Sequence, residues 1–96
     1  MKTATTELDK VFRALGDPTR RAIVSILAGG QQPTGVIASW FPLSRPTISK
    51  HLGVLKTAGL VVRHQAGRNQ LYSLEAEALA AAHRWLDTYQ KFWSGA

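Results

Sequence analysis

The apolar positions of the chain change their period several times, and the changes divide it into elements. Leu8, Val11, Phe12 and Leu15 recur at i, i+3, i+4 and i+7, which predicts an amphipathic helix starting near Thr6. Asp17-Pro18 then offers a capping side chain and a first-turn proline for a second helix. That helix should bury Ile23, Ile26 and Leu27 and stop at Gly29-Gly30. Thr34 is placed to cap a short third helix through Val36, Ile37 and Trp40, ended by Pro42. Ser44 is the next cap, with Leu43 and Ile48 spaced as a hydrophobic staple and Pro46 tolerated in the first turn. Ile48, Leu52 and Leu55 form the buried stripe of this fourth helix, and Gly59 ends it.

From Leu60 the pattern becomes extended. Leu60-Val61-Val62-Arg63 and Leu71-Tyr72-Ser73-Leu74 flank the polar link Ala66-Gly67-Arg68-Asn69, a hairpin signal. A long last helix is expected from about Glu75 to Phe92. No repeat or linker interrupts the chain, so residues 1–96 read as one domain. The predicted class is mainly α with a β-hairpin wing, in the order α-α-α-α-β-β-α. Two helices joined by Pro42-Leu43-Ser44-Arg45 make a helix-turn-helix, and a hairpin directly after the second is a wing.

Composition narrows the chemistry. With 45% hydrophobic and 19% charged residues, the chain can bury a core and is not a disordered polycation. The absence of cysteine excludes a disulfide scaffold, thiolate metal sites, iron–sulfur clusters and cysteine catalysis. No apolar run approaches the ~18 residues of a membrane span. The opening Met1-Lys2-Thr3-Ala4-Thr5-Thr6-Glu7 has no apolar stretch after its lysine, so no signal peptide is expected. Those features predict a cytoplasmic protein without membrane insertion.

Charge placement says more than the net +6. No acid lies between Asp17 and Glu75, and that stretch carries Arg20, Arg21, Arg45, Lys50, Lys56, Arg63 and Arg68. Residues 1–17 sum to zero and residues 75–96 to −1. An ordinary solvated face mixes its signs, whereas a one-signed middle is the footprint of a polyanion partner.

On the fourth helix, with Ile48 at angle zero and ~100° per residue, Leu52 and Leu55 fall close by and Pro46, Lys50, Gly53 and Thr57 point away. Thr47 and Ser49 flank that outer face, and Ser44 and Arg45 lie at its N-terminus. A helix entering a DNA major groove needs this inventory: short hydroxyls, cations, and a glycine that permits close approach. The candidate contact residues are Ser44, Arg45, Pro46, Thr47, Ser49, Lys50 and His51. Ser44 also serves as a cap, Pro46 either stiffens the turn or touches a thymine methyl, and His51 is open between packing and a phosphate contact. On the wing the candidates are Arg63, His64, Arg68 and Asn69, with Arg68 at the tip best placed for a minor groove or phosphate; solubility alone is a competing account of Arg63 and His64.

The last helix is apolar on too many sides for one small core. Leu79, Ala82, Leu86, Tyr89 and Trp93 form a stripe, widened by Trp85 and Phe92. With Leu8, Val11 and Phe12 of the first helix they predict a homodimer interface, burial within one chain being the main alternative. A membrane-surface role is disfavoured by the mixed signs of Arg84, Asp87 and Lys91. Two-fold pairing would set two recognition helices one duplex turn apart, ~34 Å.

Three segments also carry a family likeness: Ala14-Leu15-Gly16-Asp17-Pro18-Thr19-Arg20-Arg21, Leu43-Ser44-Arg45-Pro46-Thr47-Ile48-Ser49-Lys50-His51-Leu52, and Leu55-Lys56-Thr57-Ala58-Gly59-Leu60-Val61. With Gly67-Arg68 and Tyr72 following, the chain resembles the winged-helix repressors of the ArsR/SmtB type from about Leu8 to Trp93. The resemblance implies a homodimer that binds a palindromic operator on double-stranded DNA and represses transcription. Metal sensors of the family carry cysteines before the recognition helix, or Asp and His along the last helix. Here the first place reads Val36-Ile37-Ala38-Ser39-Trp40, and the last helix offers only His83 and Asp87, too few for zinc. The resemblance is therefore to non-metal-sensing members, with no metal or cofactor expected and any effector or sequestering protein unspecified. The alternative function is a winged-helix interaction module that sequesters, or is sequestered by, a partner protein without binding DNA. An enzyme is not expected: Ser49 and His51 point different ways with no carboxylate nearby, and no nucleotide-binding glycine loop is present.

Overall fold

The computed structural model describes the backbone of residues 2–95 and the side chains of residues 7–95. Helix α1 spans Lys2–Leu15, α2 Pro18–Ala28, α3 Thr34–Ala38, α4 Arg45–Thr57 and α5 Ala76–Asp87. Strands β1 (Gln32–Pro33), β2 (Val61–Ala66) and β3 (Asn69–Leu74) form one antiparallel sheet in the order β1-β3-β2. The architecture is a winged helix-turn-helix, as the periodicity predicts.

Local chemistry sets most of the boundaries. The Asp17 carboxylate accepts the Arg20 amide at 3.0 Å and caps α2. Ser44 Oγ accepts the Thr47 amide at 3.2 Å and caps α4, with Pro46 in the first turn where its missing N–H is not needed. Gly59, at φ +80°, lets the chain leave α4 and enter β2. Gly67, at φ +60°, takes the first central place of a two-residue hairpin turn, where a type II′ geometry requires it.

The core is the meeting point of these elements. Ile23 of α2, Ile37 of α3, Ile48, Leu52 and Leu55 of α4, and Leu60 are fully buried, and Val61 and Tyr72 close it from the sheet. The three α4 residues are the stripe expected from spacing, so the rest of α4 is left facing outward. Register places Val61, Arg63 and Gln65 opposite Leu74, Tyr72 and Gln70. Facing pairs share one side of a sheet, so that side carries the buried Val61 and Tyr72 and, beyond them, Arg63.

Several expectations need correction. The first helix extends back to Lys2 instead of starting near Thr6. Thr34 is not a cap, because Pro33 precedes α3 without a side-chain bond; the Thr34 hydroxyl instead donates to the Gln70 carbonyl of β3 at 3.4 Å. Strand β1 was not anticipated, since two residues carry no period; it pairs Gln32 with Tyr72 and Pro33 with Leu71. The third helix ends at Ala38, where the Ser39 hydroxyl donates to Val36 O at 2.6 Å, and Trp40 stands 67% exposed outside it. Leu43, the expected staple residue, is exposed. The last helix ends at Asp87, not Phe92: Thr88 donates its hydroxyl to Arg84 O, the pattern tightens to i→i+3, and a 3-10 turn follows at Gln90–Phe92.

Candidate nucleic-acid interface

The interface is built outward from α4. Burial of Ile48, Leu52 and Leu55 fixes the roll of the helix, so Arg45, Pro46, Ser49, Lys50, Gly53 and Thr57 are exposed. Its first turn is held by Ser44, whose Oγ also lies 2.9 Å from Thr47 Oγ1. These two hydroxyls are thus tied to each other and present a preset pair at the helix N-terminus.

Beside α4 runs an open cleft whose other wall is the wing. It is lined by Arg45, Ser49, Gly53 and Lys56 of α4, by Thr34 and Gly35 of α3, and by Arg63, Arg68, Asn69 and Gln70 of the hairpin. Four cations and several amide and hydroxyl groups therefore surround one concavity, and no acid lines it among the described residues. The Arg45 guanidinium lies over α3, close enough that a Cβ on Gly35 would stand 3.0 Å from its Nη2. The bareness of Gly35 thus gives that arginine its room.

The cleft gathers Arg45, Ser49, Arg63, Arg68 and Asn69 from the sequence candidates. It leaves out His64, which pairs in register with Leu71 and so lies on the opposite face of the hairpin from Arg63 and Tyr72. It leaves out His51 as well. That ring is only 18% exposed, in the seam between α4 and α2, with Nδ1 3.3 Å from Arg20 Nη1 and 3.8 Å from Asp17 Oδ2. Packing, not a free phosphate contact, is what the geometry assigns to it. Lys50 opens instead into a second groove between α4 and α1.

Sequence reasoning passed over Lys56 and Arg20. Lys56 lies on the same side of α4 as Arg45 and Ser49, at a position that the helical wheel, which runs to Thr57, already spans. Arg20 does structural work. Its Nε donates to Ala14 O at 2.7 Å and its Nη2 to Arg13 O at 3.3 Å, while Arg21 Nη1 donates to Leu15 O at 2.8 Å. Two arginines of α2 thereby satisfy the last carbonyls of α1, which a helix end leaves without intrahelical partners. Arg20 Nη1 also stands 3.3 Å from His51 Nδ1, which ties α2 to α4. The Arg20 amide, then the His51 and Arg20 charges, hold the Asp17 carboxyl below its ordinary pKa, against partial burial.

The other exposed surface is apolar. Phe12 meets Trp85 edge-on at 5.5 Å, Trp85 tilts against Tyr89 at 5.1 Å, and Tyr89 against Phe92 at 6.4 Å. Trp85, Leu86, Tyr89, Phe92 and Trp93 all remain exposed in one chain, while Leu8, Phe12 and Leu79 are half-buried. Val11 and Ala82, expected in the interface, are 4% and 5% exposed, so their burial is completed within the protomer. Among the described residues no three His, Asp or Glu side chains cluster as a metal site, and no helix is long and apolar enough to cross a membrane.

This arrangement, a capped helix with a polar outer face beside a cationic wing, defines a winged helix-turn-helix DNA-binding protein. Residues 15–64 match the family described as a helix-turn-helix domain. The HTH-type transcriptional regulator Rv2034 of Mycobacterium tuberculosis is 47% identical over 88 residues, covering 92% of this chain and 79% of that protein. The transcriptional repressor SdpR of Bacillus subtilis is 40% identical over 79 residues, or 82% of this chain and 88% of that one. A crystal structure of an ArsR family transcriptional regulator superposes with a TM-score of 0.84 at 33% identity, covering 92% of this chain and 97% of the other. A homodimeric winged helix-turn-helix domain of Mb0332 from Mycobacterium bovis shares the fold at 22% identity and a TM-score of 0.78, covering 99% of this chain and 89% of that one. The chain belongs to the ArsR family of winged helix-turn-helix transcriptional regulators, which are DNA-binding proteins and not enzymes.

Proposed function

We propose that the chain is a cytoplasmic repressor that binds, as a homodimer, an operator made of two inverted half-sites. Residues 1–96 act as one DNA-binding domain, α4 enters the major groove, and the wing reaches the flanking backbone or minor groove. The observation that carries this reading is the acid-free cleft between α4 and the wing. A helix in one groove and a wing tip in the next straddle a phosphate ridge, and Lys56, Arg63 and Arg68 line the space that ridge would occupy. Arg45 at the exposed helix start reads base edges, with Ser49 and Lys50 beside it, and Arg68 grips phosphate. Pairing is supported by the aromatic face of α1 and α5 and by the homodimeric state of the Mycobacterium bovis relative. Repression is supported by the Bacillus subtilis relative's description as a repressor. A non-metal-sensing member remains our reading, since the region before α4 holds no soft ligand and His83 with Asp87 falls short of a zinc set.

The test begins by selecting bound fragments from random duplexes. An inverted repeat with half-sites about one helical turn apart is expected. On that operator, Arg45→Ala should cost about 1–3 kcal/mol with loss of sequence discrimination. Arg68→Ala should weaken all sequences nearly evenly. Absence of any salt-sensitive duplex binding would instead support a protein-interaction module.

A further inference from the structure

A helix lodged in a major groove has a phosphate ridge on each flank, and the cleft beside the wing accounts for only one. The groove on the other flank of α4 is lined by Lys10, Arg13 and Ala14 of α1 and by Lys50, Val54 and Ala58 of α4. We propose that this groove is a second seat for the DNA sugar–phosphate strand, with Lys10 and Arg13 as its phosphate ligands. The proposal rests on the reading of α4 as the recognition helix.

Three observations carry it. First, the charges of α1 are sorted by direction although residues 1–17 sum to zero. Lys10 and Arg13, one turn apart, face α4, whereas Asp9 borders the hollow with Leu8, Phe12 and Trp85 on the side of α5. A cationic stripe is thereby hidden inside a neutral segment. Second, these cations are available. Arg13 is exposed and its guanidinium has no protein partner among the described residues. Lys10 has only an exposed pairing with Glu7 at 3.8 Å, a contact of little strength that a phosphate can replace. Third, the floor suits a sugar edge: Val54 is apolar and left 40% exposed without a protein reason, above the buried Ala14 and Ala58. Gly53 and Thr57 border both grooves, so the divide between them is narrow, and a Cβ at Gly53 would meet no protein atom within 4 Å. Two backbone seats separated by such a ridge match two phosphate strands on either side of a major groove about 12 Å wide.

Salt dependence of operator affinity, read with the full chain, decides the matter. Each phosphate contact removed lowers the slope of log K against log salt by about 0.9. Lys10→Gln with Arg13→Gln should therefore reduce the slope by about 1.8 per bound protomer, and Arg13→Gln alone by about 0.9. The ratio of operator to scrambled-duplex affinity should stay within about twofold of wild type, because phosphate contacts carry no base information. Melting temperature, measured alongside, should not move. Arg45→Ala is the companion: it should lose the ratio. An unchanged slope in both α1 variants, with Arg45→Ala losing discrimination, overturns this inference and leaves the recognition helix intact. No effect from any of the three overturns the DNA reading itself. Decanoate serves as a probe for the rival occupant, a small amphipathic acid; saturable binding that Val54→Glu abolishes, together with an unchanged slope, would give the groove to a ligand instead and defeat the proposal.

Discussion

The surface made by α4 and the wing and the surface made by α1 and α5 are both open to solvent, and their chemistry is opposed. Along α4, Ile48, Leu52 and Leu55 are fully spent in the core, leaving hydroxyls, a glycine, cations and the apolar side chain of Val54 outside. Along α5, apolar side chains run past the core on to the outer side, and the aromatic contacts that bind them together leave Phe92 and Trp93 more than half exposed. Cations with room around them keep water until a polyanion displaces counterions. Exposed aromatics gain from any contact that removes them from water. One chain thus carries a surface suited to a duplex and another suited to a copy of itself, and α1 borders both.

The sharpest way to break this contrast is Leu86→Glu. Leu86 is 44% exposed, so the protomer should fold normally. In the proposed two-fold dimer the carboxylate would enter the interface twice, and the dimer dissociation constant should rise about 100-fold or more, equivalent to about 3 kcal/mol. Sedimentation equilibrium reads this directly, and an unchanged constant would move the pairing face elsewhere. Ser44→Ala acts on the other surface. It removes the α4 cap and the partner of Thr47, and should cost about 1 kcal/mol in urea unfolding while also weakening operator binding.

Gly53→Ala separates the two demands made on α4. With no protein atom near the new methyl, the substitution should stabilise the protomer by about 0.5–1 kcal/mol through helix propensity. Operator affinity should fall at the same time, because in the proposed complex the methyl would meet DNA. A gain in both would show that this side of α4 does not approach a duplex.

The smallest expected effect is a pH dependence at Asp17. Its folded pKa is lowered, so its contribution is complete above the ordinary carboxylate pKa and is lost as pH falls through the lowered value. Between about pH 5 and about pH 3, wild type should lose more melting temperature than Asp17→Asn. The asparagine still accepts the Arg20 amide but has no charge to lose. Parallel curves would remove Asp17 from the seam that joins α1, α2 and α4.

The legible parts of the fold were those encoded by neighbours in sequence. Ser44, Pro46, the Ile48 stripe and Gly59 state α4 completely, and Gly67 states the hairpin. Strand β1 escaped because Gln32-Pro33 exists as a strand only through its pairing with Tyr72 and Leu71, some 40 residues onward. The end of α5 escaped because the aromatics keep an apolar period beyond Thr88, whose hydroxyl nevertheless breaks the helix. At the interface, Arg63 and His64 looked equivalent, yet adjacent strand residues point to opposite faces, a signal that was present and unused. Arg20 lay in plain view in a quoted motif, but its bond to His51 crosses 31 positions and needed the fold. The cations of α1 were concealed by summing charge along the chain when the relevant variable was direction around the helix.

In the proposed complex the outer face of α4 reads base sequence while the wing holds the backbone. Affinities of wild type, Arg45→Ala and Arg68→Ala for the selected operator and for each single-base variant of one half-site test it most directly. Arg45→Ala should level the preference at one or two base pairs and leave the others intact, whereas Arg68→Ala should lower every affinity by a similar factor. An unaltered preference profile in Arg45→Ala, with wild-type affinity retained in Arg68→Ala, would contradict it.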